Sequence, residues 1–220
     1  MDFQTKYNLK SFDQIPDEHL RILAQRYTTG KSMEPLLLHG VPGTGKTAFA
    51  RLLANNLCDD ISDGDILFIN ASAKTGIDTT RTTISDFASC IRLNSQNIGA
   101  IIIDEADGFS KDAQNALKGE MDKWRQSNLF ILTTNHVDDI NSAIRDRCET
   151  VLVNRPKPDE LLPMAQNILA EENESVPEEK LLALLEADCA NIMGLSYRVL
   201  FRRLTELVEE RRRLRDNKAA

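Results

Sequence analysis

Eight consecutive residues, Gly40-Val41-Pro42-Gly43-Thr44-Gly45-Lys46-Thr47, have the types and spacing needed to grip a chain of phosphates. They fit G-x-x-x-x-G-K-[ST], the phosphate-binding loop. Glycines let the backbone curl until its N–H groups face inward on an anion, and the N-terminus of the following helix, to which Ala48 belongs, adds partial positive charge. Lys46 is placed to reach the β- and γ-phosphates, and the Thr47 hydroxyl to ligate Mg²⁺. A second group of candidates is the acid pair Asp104-Glu105. An acid at the end of a buried strand beside such a loop can hold the metal, which is the role of Asp104, while Glu105 suits a general base that orients or deprotonates an attacking water. Asn135, after the next apolar run, can reach between the acid pair and the γ-phosphate and position that water. Together these residues point to hydrolysis of a nucleoside triphosphate.

Such a constellation needs strands that end together and helices that follow them. Leu36-Leu37-Leu38 reads as a strand entering the loop, and Ala48, Phe49, Leu52, Leu53 and Leu57 follow at helical spacing. Ile66 to Asn70 is a short strand. Ala100 to Asp104 and Leu129 to Thr133 are continuous apolar runs, as expected of buried parallel strands, and Thr150 to Val153 is a last one. Helices are expected over 17–28, 78–91, 111–125 and 142–147, whereas residues 1 to 14 read as polar chain with an aromatic beat of Phe3, Tyr7 and Phe12. Strands alternating with helices indicate an α/β domain with a parallel sheet flanked by helices. After Arg155-Pro156-Lys157-Pro158 only helices are expected, near 159–172, 177–187 and 195–215. The reading is an ATPase-like core over 1–155 and a small all-helical lid over 156–220.

Composition narrows the class. The chain has 220 residues, 41% hydrophobic and only 5% aromatic, which suits an aliphatic core. A formal charge of −7 argues against a protein that holds nucleic acid by bulk charge alone. The charge is uneven: from Gly194 onward eight Lys/Arg face four Asp/Glu, a net of +4, leaving −11 elsewhere. That basic end reads either as a solvated helix face or as a patch for a partner or a phosphate backbone. Cys58, Cys90, Cys148 and Cys189 form no C-x-x-C pair and are expected to be buried free thiols in a reducing compartment, and the three histidines form no ligand pattern. With no signal peptide and no membrane-length apolar run, a soluble intracellular protein without membrane contact is expected.

Five segments in order resemble the AAA+ ATPases, and more narrowly the small subunits of sliding-clamp loaders. Thr5 to Asp13 resembles an E-K-Y-R-P-x-x-F-D box, with Asn8 and Leu9 in place of Arg-Pro. The phosphate loop matches in full. Asn70-Ala71-Ser72 with Gly76-Ile77-Asp78 and Arg81 is similar to N-A-S-x-x-x-G-I-D-x-x-R. Asp104-Glu105-Ala106-Asp107 with Ala113-Gln114-Asn115-Ala116-Leu117 and Met121 is similar to D-E-A-D…A-Q-x-A-L-x-x-x-M. Asp146-Arg147-Cys148 resembles an S-R-C box, with Asp146 replacing Ser.

The resemblance implies ATP and Mg²⁺ as cofactors and an arginine finger, Arg147, acting in trans on ATP in an adjacent subunit, with neighbouring Arg145 as the competing candidate. It further implies a sensor arginine, for which Arg198 in Gly194-Leu195-Ser196-Tyr197-Arg198 is the nearest match to G-D-x-R, without its Asp and one residue longer. Implied partners are other AAA+ subunits, the same or different chains, ATP-dependent contact with DNA through helix N-termini and residues such as Lys74 and Arg81, and a sliding clamp. The implied function is clamp-loader-like assembly work in DNA replication. The alternatives are a helicase loader or other DNA-associated AAA+ ATPase, and a nucleotide-binding scaffold without hydrolysis. The family's C-terminal collar domain has no counterpart in these 220 residues, so a truncated form and assembly through the ATPase faces alone are both expected readings.

Overall fold

A computed structural model describes residues 3–73, 77–191 and 194–219. Five strands are built from the apolar runs: β1 (Leu36–His39), β2 (Ile66–Asn70), β3 (Gly99–Asp104), β4 (Asn128–Thr134) and β5 (Glu149–Leu152). All pair in parallel, in the order β2-β3-β4-β1-β5. Every residue of β3 and β4 is buried, while the edge strands β2 and β5 are partly open. This is why the central strands read as unbroken apolar runs: helices cover both faces of a parallel sheet. The strand order reverses beside β1, which places β4 and β5 on its two sides. In such sheets the crevice outside the strand C-termini at the reversal is where ligands sit.

Among the described residues the helices are α1 (Phe3–Lys6), α2 (Glu18–Thr28), α3 (Lys46–Ala54), α4 (Ile77–Ser89), α5 (Lys111–Trp124), α6 (Ser142–Arg145), α7 (Pro158–Glu171), α8 (Glu178–Ala190) and α9 (Tyr197–Ala219). The chain divides into two compact units. The first joins His19–Val41 with Lys46–Val153 and holds the sheet. Its core sets Ile101, Ile103, Phe130 and Leu132 against Ile84, Leu117 and Met121 of α4 and α5. Ser110 caps α5 by accepting from the Ala113 N–H at 3.2 Å, and Ala113, Leu117 and Met121 follow on one buried face. Each fully buried Leu or Ile contributes on the order of 1.5–3 kcal/mol.

The second unit joins the stretch ending at Glu18 with Pro42–Gly45 and the chain from Asn154 onward. Leu161, Ala165, Ile168 and Leu169 of α7, Leu181 and Leu185 of α8, and Leu200, Leu204 and Val208 of α9 form its core. The opening residues, read from sequence as polar chain, form α1 and a turn of 3₁₀ helix over Phe12–Gln14. Tertiary packing decides this: a four-residue helix has no stability of its own, but Phe3 is buried in the helical core with the Tyr7 ring edge-on to it at 5.2 Å.

The same unit corrects the reading of the basic C-terminal end. Arg212 pairs with Glu172 at 2.7 Å, Arg211 with Glu174 at 3.6 Å, and Arg215 also with Glu174. Both acids follow α7 and are buried. The run is therefore neither a plain solvated face nor a free phosphate patch: three of its arginines neutralise acids of their own unit. The four cysteines are also corrected, since only Cys58 and Cys148 are buried while Cys90 and Cys189 are exposed, all of them free.

Glu172 accepts from Lys6, from the Tyr7 hydroxyl at 2.7 Å and from Arg212. The Lys6 contact first, then the Tyr7 hydroxyl, hold its carboxyl down from an ordinary 4.5 to about 2. A carboxyl whose folded value is depressed stabilises the fold fully above its unfolded value and loses that stabilisation as pH falls toward the folded one. Glu172→Gln is expected to cost about 1–2 kcal/mol at neutral pH, discounted because Lys6 and Arg212 are partly exposed. It is also expected to flatten the loss of stability between pH 5 and about pH 2. Urea unfolding across that range checks both, and parallel curves for the two proteins would contradict the assignment.

Candidate functional site

Lys46 opens α3 directly after the glycine loop, so its side chain turns back over the loop base. Its ammonium donates to the carbonyls of Gly40 at 2.8 Å and Val41 at 2.9 Å and is only 7% exposed. Gly40 stands at φ +141°, and a Cβ there would lie 2.5 Å from the Val153 carbonyl oxygen, so no other residue fits between β1 and the end of β5. Burial, and then the Lys46 charge, lower the pKa of His39, the last residue of β1. Thr47 and Ala48 follow on the first turn of α3.

The acid pair sits where β3 ends. Asp104, 9% exposed, accepts at Oδ1 from the Thr47 hydroxyl and from the Thr133 hydroxyl, both at 2.6 Å. Thr133 in turn accepts from the backbone N–H of Glu105 at 3.1 Å. Register explains the meeting: Ile103 lies opposite Leu132, and Leu38 opposite Thr133, so Asp104 and Thr133 end adjacent strands together. Glu105 adopts φ +54° and ψ +47°, a left-handed conformation that non-glycine residues avoid. Such a residue costs about 1–3 kcal/mol and persists where surrounding bonds over-determine it, characteristically at functional sites. Here the Glu105 N–H bond to Thr133 fixes the kink that turns the chain off the strand.

Asn135 directly follows β4 and is half-buried. Thr133, two residues earlier, was passed over by sequence reasoning in its favour, although it makes the bonds to both members of the acid pair. Gln114 of α5 is a further buried link. Its amide N–H₂ donates to the carbonyls of Phe109 and Asp139 and its oxygen accepts from the Asn141 N–H at 2.7 Å, so it ties the segment after Glu105 to the segment after Asn135.

Arg147 lies just beyond α6. Its Nε and Nη2 donate to the Asp122 carboxylate of α5 at 2.8 and 3.0 Å, and its Nη1 donates to the Ala143 carbonyl at 2.7 Å. The hydrogen bonds from Arg147 hold the Asp122 carboxyl below the usual carboxylate range. Arg145, the competing candidate, makes a longer contact to Asp138 at 3.5 Å. Of the residues considered for DNA, Arg81 approaches Glu120 at 3.5 Å, and Lys74 lies outside the described residues, as does Gly76 of the G-I-D box.

Within the second unit, the loop residues Pro42, Gly43, Thr44 and Gly45 lie against the start of α9. The Tyr197 N–H donates to the Gly43 carbonyl at 3.1 Å. Gly43 has φ +82°, and a Cβ there would stand 2.9 Å from the Ser196 hydroxyl and 3.5 Å from Cβ of Arg198. Ser196 caps the helix by accepting from the Val199 N–H at 3.2 Å. Arg198 itself is exposed on the first turn of α9.

The oxygen pair Thr47–Asp104 suits a hard divalent cation. Among the described residues no group of three or more His, Cys, Asp or Glu gathers into a metal cage. One carboxylate and one hydroxyl match Mg²⁺, which keeps waters and takes its remaining oxygens from substrate phosphates. No helix among the described residues is long and apolar enough to cross a membrane.

The family model described as "ATPase family associated with various cellular activities (AAA)" matches residues 36–155. The chain is 32% identical over 174 residues to replication factor C subunit 5 of Mus musculus, covering 79% of this chain and 51% of the relative. It is 34% identical over 167 residues to replication factor C small subunit 1 of Pyrobaculum arsenaticum, covering 76% and 48%, and 33% identical over 184 residues to small subunit 2 of the same organism, covering 82% and 56%. The chain thus spans about half the length of these curated relatives.

Proposed function

Because this chain belongs to the AAA family of ATPases, we propose that it binds ATP with Mg²⁺ and hydrolyses it at an interface between AAA+ subunits, in a clamp-loader-like role in DNA replication. The observation that carries hydrolysis is the bonded series Thr47–Asp104–Thr133–Glu105 N–H, at 2.6, 2.6 and 3.1 Å. It holds the proposed metal ligand and the candidate base in fixed positions with respect to Thr47, the last residue of the phosphate-loop motif.

In this reading Gly40 to Ala48 hold the phosphates, and Lys46 exchanges its bonds to the loop carbonyls for β- and γ-phosphate oxygens. Thr47 and Asp104 hold Mg²⁺, which when bound neutralises charge on the phosphates. Glu105 takes the proton of the attacking water, Asn135 orients that water, and Arg198 contacts the γ-phosphate. Arg147 reaches the ATP of the next subunit, where an always-charged fork of donors suits the transferring phosphoryl group. Loss of the γ-phosphate removes a group that two subunits share, so the interface loosens. The replication factor C relatives support DNA as the working partner, together with further AAA+ subunits and a clamp.

The test is ATP turnover per chain against protein concentration, with and without primed DNA. A steep rise with concentration and further stimulation by DNA are expected. A rate that stays flat across the dissociation range and ignores DNA would remove the interface reading.

A further inference from the structure

Arg147 is a long, partly exposed side chain two residues past the one-turn helix α6, and left alone it would sample many rotamers. Ordering such a side chain costs about 2 kcal/mol. The structure removes that freedom through a residue no motif singled out. Asp122, on the α5 turn facing α6, receives Nε and Nη2 in a two-pronged contact, and the Ala143 carbonyl receives Nη1. A guanidinium carries five N–H groups. Three are taken, and one N–H remains on each terminal nitrogen to donate elsewhere.

We propose that Asp122 is the positioning residue for the arginine finger: it fixes the guanidinium plane of Arg147 on the surface of its own subunit while an N–H on each terminal nitrogen is left for ATP held by the next subunit. This rests on the trans reading of Arg147 above. Both side chains are partly exposed, Arg147 at 32% and Asp122 at 46%, so the pair is reachable from outside the subunit and its loss leaves no charge stranded in the core. Because Asp122 acts only through Arg147, its effect belongs to the neighbour's pocket and not to its own.

That asymmetry supplies the test. Asp122→Ala and Asp122→Asn, in the full chain at concentrations above assembly, are expected to lower kcat about tenfold, as a displaced positioning group does. KM for ATP should stay within about twofold, because a group that acts only in the transition state leaves ground-state binding alone. The Tm should be unchanged, and Asp122→Glu should recover part of the rate. Asp122→Ala subunits keep intact pockets, so mixing them equally with Lys46→Ala subunits, whose fingers are intact, should raise turnover per Asp122→Ala chain about fivefold in a head-to-tail assembly. No recovery in the mix, or kcat unchanged, overturns the proposal. A rise in kcat overturns it too, because Asp122 would then restrain the finger. Arg147→Ala run in parallel separates the levels: if it keeps wild-type turnover, the trans finger itself is wrong, whereas a dead Arg147→Ala beside unaffected Asp122 variants refutes the positioning role alone.

Discussion

Glu105→Gln is expected to bind ATP as tightly as the native chain and to turn it over about 10²- to 10⁴-fold more slowly, the range supplied by a positioned general base. The substitution keeps the size of the side chain and the backbone N–H that bonds Thr133, so the kinked conformation at φ +54° survives. Only the ability to accept a proton is lost. Affinity is expected to hold because, in the proposed reading, the phosphate grip comes from the loop and Lys46 and not from this carboxyl. Equilibrium binding of labelled ATP together with steady-state turnover checks both halves. Turnover at the native rate would mean that another group handles the proton, and loss of binding would mean that Glu105 is structural.

The second large effect concerns two variants that should fail alone and succeed together. Lys46→Ala removes the buried ammonium at the loop base, and Arg147→Ala removes the proposed finger, a group worth about 10³- to 10⁵-fold in comparable phosphoryl transfers. Each variant alone should be nearly inactive. In an equimolar mix, roughly a quarter of head-to-tail interfaces pair an intact pocket with an intact finger, so turnover should return to about that fraction of the native rate. A mix no better than either parent would place both groups in one subunit's site, or place Arg147 outside the chemistry altogether. Because Arg147 is held by Asp122 of its own chain, its truncation leaves an exposed carboxylate and an otherwise intact fold, and a low Tm is not expected to explain the loss.

Much of the first unit was legible in the sequence. Strand β2 occupies the same five residues, Ile66–Asn70, in both readings, β3 gains one residue at its start, and β4 gains one at each end. Helix α5 runs from Lys111 to Trp124 where 111–125 was expected. These elements carry strong local signals: apolar runs of strand length, or apolar residues at helical spacing behind a capping serine. The opening residues carried no such signal. Phe3 and Tyr7 read as an aromatic beat in polar chain, and Phe3 begins a helix, with Tyr7 just past its end, only because α9 and the α7–α8 core offer a surface to bury Phe3. Cys90 and Cys189 misled in the same way, because composition speaks to how often cysteines are buried and not to which face of an element a given one occupies.

By itself the sequence determined the phosphate loop, the acid pair at the end of a buried strand and the alternation of strands and helices, because each is written in contiguous residues whose chemistry and periodicity are local. The tertiary structure alone decided the partners: Thr133 beneath Asp104 and Glu105, Asp122 against Arg147, Gln114 between two loops, and Glu172 and Glu174 against the C-terminal arginines. Most of these contacts join residues 25 or more positions apart. They are set by strand order, register and which helix face meets which, and a pattern along one chain segment does not encode a choice that depends on where another segment lies.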